Sequence, residues 1–254
     1  MMTDHIWEGV YQSFKEVPTK GEGFQSETWK ANALERISEL INRASSPATV
    51  PPVVVYKASL LPFLSALVYA KNGAVRILDF GGGVGFTYVP VIAAMPDASR
   101  VEYNVVDTPN ICEIGEQVFS EDCRIHFSAS LPEELEKVDI VHLGSSLQYI
   151  EGWRALLERL ARYRPDYFLF TDLIAGDIPT YITAQNYYSS KIPYWFFNIH
   201  EVIEALASIH YRLLFKSTYV NTYLGVEQKC PQENFPEELR LGDTSALLFG
   251  SKAV

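Results

Sequence analysis

Positive charge is scarce in this chain of 254 residues: 21 Lys and Arg stand against 31 Asp and Glu, a formal net charge of −10. Holding a phosphate backbone normally requires a basic stripe that releases counterions, so the charge balance argues against DNA and RNA as partners. Cysteine is scarce as well. Cys112, Cys123 and Cys230 form no C-x-x-C pair, and an odd, scattered set of three argues against a disulfide framework and a thiolate metal site. His5, His126 and His210 show no pairing that would bind a metal, and no metal is expected. Long apolar runs are missing too. The longest, Leu60 to Ala70, is broken by Pro62 and Ser65 and is too short to span a bilayer. The opening Met-Met-Thr-Asp-His-Ile-Trp-Glu lacks a secretory pattern, and a cytoplasmic protein is the expectation.

What remains is an ordinary globular composition, 48% hydrophobic and 20% charged, long enough for one large α/β domain with an appended segment. Its most informative stretch is Val75 to Phe86. A short apolar run, Val75 to Phe80, ends in four glycines out of five residues, the pattern of a buried parallel strand turning sharply into a helix. Asp79, Gly81, Gly83 and Gly85 read D-x-G-x-G-x-G. A dinucleotide fingerprint starting at Gly81 would need its last glycine at Phe86, which disfavours an NAD-dependent dehydrogenase, and no Lys-Ser or Lys-Thr follows to make a P-loop. A second strand, Val101 to Val106, delivers Asp107 at its carboxyl end, where a carboxylate can take both hydroxyls of a ribose.

These two elements together resemble the S-adenosylmethionine site of class I methyltransferases. The resemblance implies an α/β, doubly wound Rossmann-like fold whose seven-stranded, mostly parallel sheet ends in an antiparallel strand, with S-adenosyl-L-methionine as cofactor. It implies that Asp79, Gly81, Gly83 and Gly85 form the loop beneath the methionine portion. Asp107 would then hold the ribose, Ser128 would belong to the loop that contacts adenine, and Ser145 would lie in the segment after strand four beside the transferred methyl.

The rest of the chain fits that frame. Residues 1–73 are expected to form a helical cap and 74–254 the Rossmann-like domain. Trp29, Ala33, Ile37, Leu40 and Ile41 recur at helical spacing from Ser26 to Ala44. The Val-Pro-Pro-Val-Val-Val stretch at 50–55 should break any helix, and a second helix should run from about 58 to Lys71, ending at Asn72-Gly73. Strands are expected at Arg124 to Phe127, Val138 to Leu143, Tyr167 to Thr171, Tyr211 to Tyr219 and Ser245 to Ser251, with helices at Gly152 to Tyr163 and Ile199 to Ser208.

Two aromatic segments stand outside this alternation. Trp7, Tyr11 and Phe14 lie on an opening segment with little periodicity, which either closes over a ligand or pins itself to the core. An insertion at about 178–198 carries Tyr181, Tyr187, Tyr188, Tyr194, Trp195, Phe196 and Phe197. It either walls a substrate pocket or buries itself against the cap or a second subunit, as in a homodimer.

Ligands of open α/β sheets bind beyond the carboxyl ends of the strands, so the residues after strands four and five are the catalytic candidates. Asp172, at the end of strand five, is the first candidate for a general base, followed by His200; Gln148 and Tyr149 either face cofactor or substrate, or Ser145 or Ser146 caps a helix there and Tyr149 packs in the core. His142, inside strand four, reads as a core residue. Three stretches, Trp7-Glu8-Gly9-Val10-Tyr11-x-Ser13-Phe14, the glycine loop, and Ser145 to Ile150 with Gln185, also resemble methyltransferases associated with bacterial surface-polysaccharide gene clusters. That likeness implies a small-molecule or saccharide acceptor, methylated at oxygen. A non-catalytic protein that binds S-adenosylmethionine on the same fold is the alternative.

Overall fold

A computed structural model describes residues 5–45, 59–95, 97–133, 137–223 and 225–251. The chain divides into two compact units, one of residues 27–143 and 163–169, the other of residues up to 26, 144–162 and 170 onward. Seven strands hydrogen-bond in one sheet: β2 (Val75–Phe80), β3 (Val101–Val106), β4 (Ile125–Ser128), β5 (Ile140–Gly144), β6 (Tyr167–Leu173), β10 (Tyr211–Tyr219) and β13 (Thr244–Ser251). Their order is β10-β13-β6-β5-β2-β3-β4. β2 runs parallel to β3 and β5, and β3 parallel to β4, whereas β10 and β13 are antiparallel. This is the seven-stranded, mostly parallel, doubly wound sheet that the sequence predicts.

In the first unit, β2 is almost wholly buried, because a parallel strand is covered by helices on both faces and therefore reads as a continuous apolar run. Helix α1 (Glu27–Ser45) buries Ala33 and Ile37 from its apolar stripe. Helix α2 (Leu60–Asn72) ends where Gly73 adopts φ +71° and donates its N–H to the Tyr69 carbonyl at 2.7 Å, the left-handed C-terminal turn for which glycine is suited. The expected helix break at 50–55 lies outside the described residues. Helices α3 (Tyr88–Ala94) and α4 (Pro109–Val118) follow β2 and β3; Pro109 occupies the first turn of α4, where its missing N–H costs nothing.

The second unit holds a four-stranded sheet that the sequence reading misses. Strands β1 (Trp7–Tyr11), β8 (Tyr181–Tyr187), β9 (Ser190–Asn198) and β7 (Ala175–Gly176) pair in the order β1-β8-β9-β7. The first aromatic segment is thus a strand and not part of a helical cap, with Trp7 opposite Gln185 and Tyr11 opposite Ile182. One face of this sheet carries Trp7, Tyr181, Tyr194 and Phe196; the other carries Ile182, Ala184 and Trp195. Both faces are covered, so the polar alternation that marks a half-exposed strand is absent. The hairpin turn is concealed as well, because Tyr188 takes φ +51° where a glycine or asparagine would announce it. Helices α5 (Trp153–Ala161) and α6 (Ile199–Ser208) and a short hairpin, β11 (Asn221–Tyr223) with β12 (Val226–Gln228), complete the unit. Among the described residues no helix is long and apolar enough to cross a membrane.

Candidate functional site

The glycine turn leaves β2 with its N–H groups turned to specific partners. Gly81, Gly83 and Gly85 adopt φ +72°, +60° and +90°, conformations that side chains with a Cβ rarely take. The Gly81 N–H donates to the Val106 carbonyl at 2.8 Å, and the Gly83 N–H donates to Asp107 Oδ2 at 2.9 Å. The other Asp107 oxygen accepts from the Thr108 N–H at 2.7 Å. The carboxylate is thereby fixed beside the turn, with a further lone pair on each oxygen able to accept from a ligand hydroxyl. Burial raises its pKa, opposed by the hydrogen bonds from Thr108 and Gly83. Ser128 closes β4, and its carbonyl accepts from the Asp107 N–H at 3.2 Å, so the Asp107 loop and the Ser128 loop are tied together.

Asp79 sits differently from the other residues of the motif. It is fully buried, and both carboxylate oxygens are occupied: Oδ1 accepts from His142 Nδ1 at 2.8 Å, and Oδ2 from Tyr103 at 2.7 Å and Thr87 at 2.5 Å. Burial acts to raise its pKa, yet the charge and hydrogen bond of His142, together with the hydrogen bonds of Thr87 and Tyr103, outweigh it and hold the carboxyl below its ordinary value. His142, read from the sequence as a core residue, is buried.

In the second unit, β5 passes at Gly144 into Ser145, which takes φ +54°, and then into a single 3-10 turn at Leu147–Tyr149. Gln148 is fully buried; its Nε2 donates to Ser145 Oγ at 3.0 Å and to the Asp172 carbonyl at 3.4 Å, while its Oε1 meets no partner among the described residues. Asp172, near the end of β6, also has a left-handed backbone, φ +52°. Its carboxylate accepts from Asn221 Nδ2 at 2.8 Å and from Thr244 Oγ1 at 2.9 Å. Burial pushes its pKa up to about 6, against hydrogen bonds from Thr244, Ser145 and Asn221, all of them uncharged. The tyrosines nearby shift in the same sense: burial raises Tyr149, Tyr194, Tyr219 and Tyr223, and the Asp172 charge adds to it, second after burial for Tyr219 and behind Tyr187, Tyr149 and Cys230 for Tyr149, Tyr194 and Tyr223. Tyr149 donates to Gln185 Oε1 at 3.1 Å and packs edge-on against Phe24 and Tyr194.

Ser145, Tyr149 and Asp172 are therefore gathered in one neighbourhood. His200 is not part of it: it lies on the first turn of α6 with its side chain 70% exposed, 3.2 Å from the exposed Asp177. Sequence reasoning missed Asn221 and Thr244, which no local pattern marks; Thr244 opens β13, the strand next to β6 in the sheet order. It also missed Thr87 and Tyr103, whose side chains meet only because β2, β3 and α3 converge.

The fold matches solved methyltransferases at low sequence identity. One is the 1,6-didemethyltoxoflavin-N1-methyltransferase of Burkholderia thailandensis, crystallised with 1,6-didemethyltoxoflavin and S-adenosylhomocysteine. It is 13% identical, with a TM-score of 0.53 over 93% of this chain and 95% of that one. A S-adenosylmethionine-dependent methyltransferase from Clostridium acetobutylicum gives 11%, 0.53, 88% and 100% in the same terms. The magnesium protoporphyrin IX methyltransferase of Synechocystis, with bound S-adenosylmethionine, gives 13%, 0.51, 90% and 93%. No protein-family model and no curated protein matches the sequence. The architecture is that of the class I methyltransferase fold.

Proposed function

We propose that this protein is a S-adenosylmethionine-dependent methyltransferase acting on a small molecule. The observation that carries the reading is the Asp107 carboxylate, held 2.9 Å from the N–H of Gly83 at the carboxyl end of β3. A glycine turn with three left-handed glycines beside a fixed carboxylate fits an adenosine with a short chain: the turn admits close approach, and the carboxylate accepts from ribose hydroxyls. The cofactor would supply an electrophilic methyl on a sulfonium. In this reading Gly81, Gly83 and Gly85 receive the methionine portion, Asp107 orients the ribose, and Ser128 and Ser145 belong to flanking loops that contact the cofactor.

For the acceptor we infer a hydroxyl, with Asp172 taking its proton. A base works best with a pKa near the operating pH, and Asp172 at about 6 is ionised at neutral pH yet basic enough to share a proton. Tyr149 orients the acceptor, and Asn221 and Thr244 hold the carboxylate in place. His200 is the second candidate for the base. A saccharide acceptor is the class favoured by the three stretches at Trp7, the glycine turn and Ser145, and a cytoplasmic location belongs to the same reading. Calorimetry with S-adenosylmethionine, S-adenosylhomocysteine and NAD tests the proposal. Binding of the first two is expected; binding of NAD alone, or of none, overturns it. A cofactor bound without turnover over a panel of hydroxylated acceptors would favour a non-catalytic binding protein.

A further inference from the structure

The Asp79 carboxylate cannot touch a ligand, because none of it is exposed, and yet four elements converge on it. Asp79 on β2 is in register with His142 on β5, so the two side chains leave neighbouring strands side by side. Tyr103 comes from β3 and Thr87 from the residue before α3; the hydroxyls of these two are also 2.9 Å from each other. Directly over the carboxylate lies the glycine turn: a Cβ built on Gly82 would fall 2.6 Å from Asp79 Oδ2 and 2.7 Å from its Cγ. The turn therefore rests on the carboxylate, and the carboxylate rests on His142, Tyr103 and Thr87.

We propose that His142 is a positioning residue for the cofactor: acting through Asp79, it fixes the height and tilt of Gly82 and so the backbone N–H groups of Gly81 to Gly85. This rests on the methyltransferase reading of the same turn. His142 Nδ1 faces an acceptor-only oxygen and therefore donates to it. Were the histidine replaced by an apolar ring, Asp79 would lose the partner that keeps Oδ1 in place, and a buried carboxylate short of a donor turns towards whatever donors remain. Gly82 of the turn lies directly against that carboxylate. A shift of the turn by a fraction of an ångström would misplace both the glycine N–H groups and the Gly83 bond to Asp107.

Two readouts test this in the full chain. In His142→Phe, S-adenosylhomocysteine affinity measured by calorimetry should fall about tenfold, the loss of one buried charge-assisted hydrogen bond. Amide hydrogen exchange without ligand should quicken at residues 81–85 while the amides of β3 keep their protection. His142→Asn places an amide N–H where Nδ1 was, and should restore affinity to within about threefold of wild type. A folded His142→Phe protein with wild-type affinity and unchanged exchange at 81–85 overturns the proposal, as does exchange that quickens equally in the turn and throughout β3, the mark of general loosening. If His142→Phe does not fold, Tyr103→Phe removes one hydroxyl from the same carboxylate and is judged by the same two readouts. Should wild type bind no S-adenosylhomocysteine, the cofactor reading fails, and the exchange at 81–85 still decides whether His142 supports the turn.

Discussion

Gly82 lies against the Asp79 carboxylate so closely that an added Cβ would meet Oδ2 at 2.6 Å, although Gly82 has no left-handed backbone to defend. The demand for glycine here is steric alone, whereas Gly81, Gly83 and Gly85 also take left-handed backbones. Gly82→Ala should therefore push the turn off its support. We expect a stability loss of about 1–3 kcal/mol, typical of overpacking, together with weakened S-adenosylhomocysteine binding, read by thermal melting and calorimetry on one preparation. A variant indistinguishable from wild type in both would show that the turn does not rest on Asp79.

Asp107→Ala should remove charge-assisted hydrogen bonds worth about 1.5–3 kcal/mol, a tenfold to hundredfold loss of cofactor affinity. Because the same carboxylate anchors the Gly83 N–H, a small loss of stability should accompany it. Unchanged affinity in a folded variant would remove Asp107 from the site.

The raised pKa of Asp172 gives two pH signatures. A protonated carboxyl cannot accept the acceptor's proton, so turnover should fall as pH drops through about 6, and in Asp172→Asn this limb should vanish along with about 10²–10⁴ of the rate. For stability the sign is the reverse of that for an ion-paired carboxylate. Between 3.8 and about 6 the folded chain holds a proton on Asp172 that the unfolded chain has released, so this group lowers stability as pH rises through that window. Asp172→Asn should abolish that fall; chemical denaturation at pH 4 and pH 7 measures it. Near-normal turnover in the Asn variant would make Asp172 structural and transfer the search for the base to His200.

Methyl transfer should proceed without a divalent metal. Among the described residues no group of three His, Cys, Asp or Glu side chains is placed to hold one. Turnover abolished by a chelator and restored by magnesium or manganese would contradict this.

The parts of the fold legible in the sequence were those where one local rule acts alone. The apolar run Val75–Phe80 and its glycines located the turn, and the apolar run Val101–Val106 located the strand end that carries Asp107, because strand and turn follow each other along the chain. Asp172 was visible for the same reason. Its partners were not: Asn221 and Thr244 come from later strands, and only the sheet order puts β13 next to β6. The second sheet was hidden by burial on both faces and by a tyrosine in the turn position that usually displays a glycine. His142 shows a third kind of blindness, since a buried histidine looks alike in sequence whether it fills a core or braces a motif.

The pairing of Trp7 with Gln185 has a consequence for how this protein is made. Strand β1 leaves the ribosome long before β8 and β9 exist, so Trp7 and Phe14, which end packed against rings from β9, have no native surroundings for most of synthesis. Its closure spans about seven tenths of the chain, the kind of non-local contact that slows folding. Until the hairpin arrives, an unpaired strand carrying Trp7 is open to wrong partners. Heterologous expression should therefore be governed by the rate at which the nascent chain is shielded, and slower, cooler synthesis with ample chaperone should raise the yield of folded protein more than any stabilising change within the first unit.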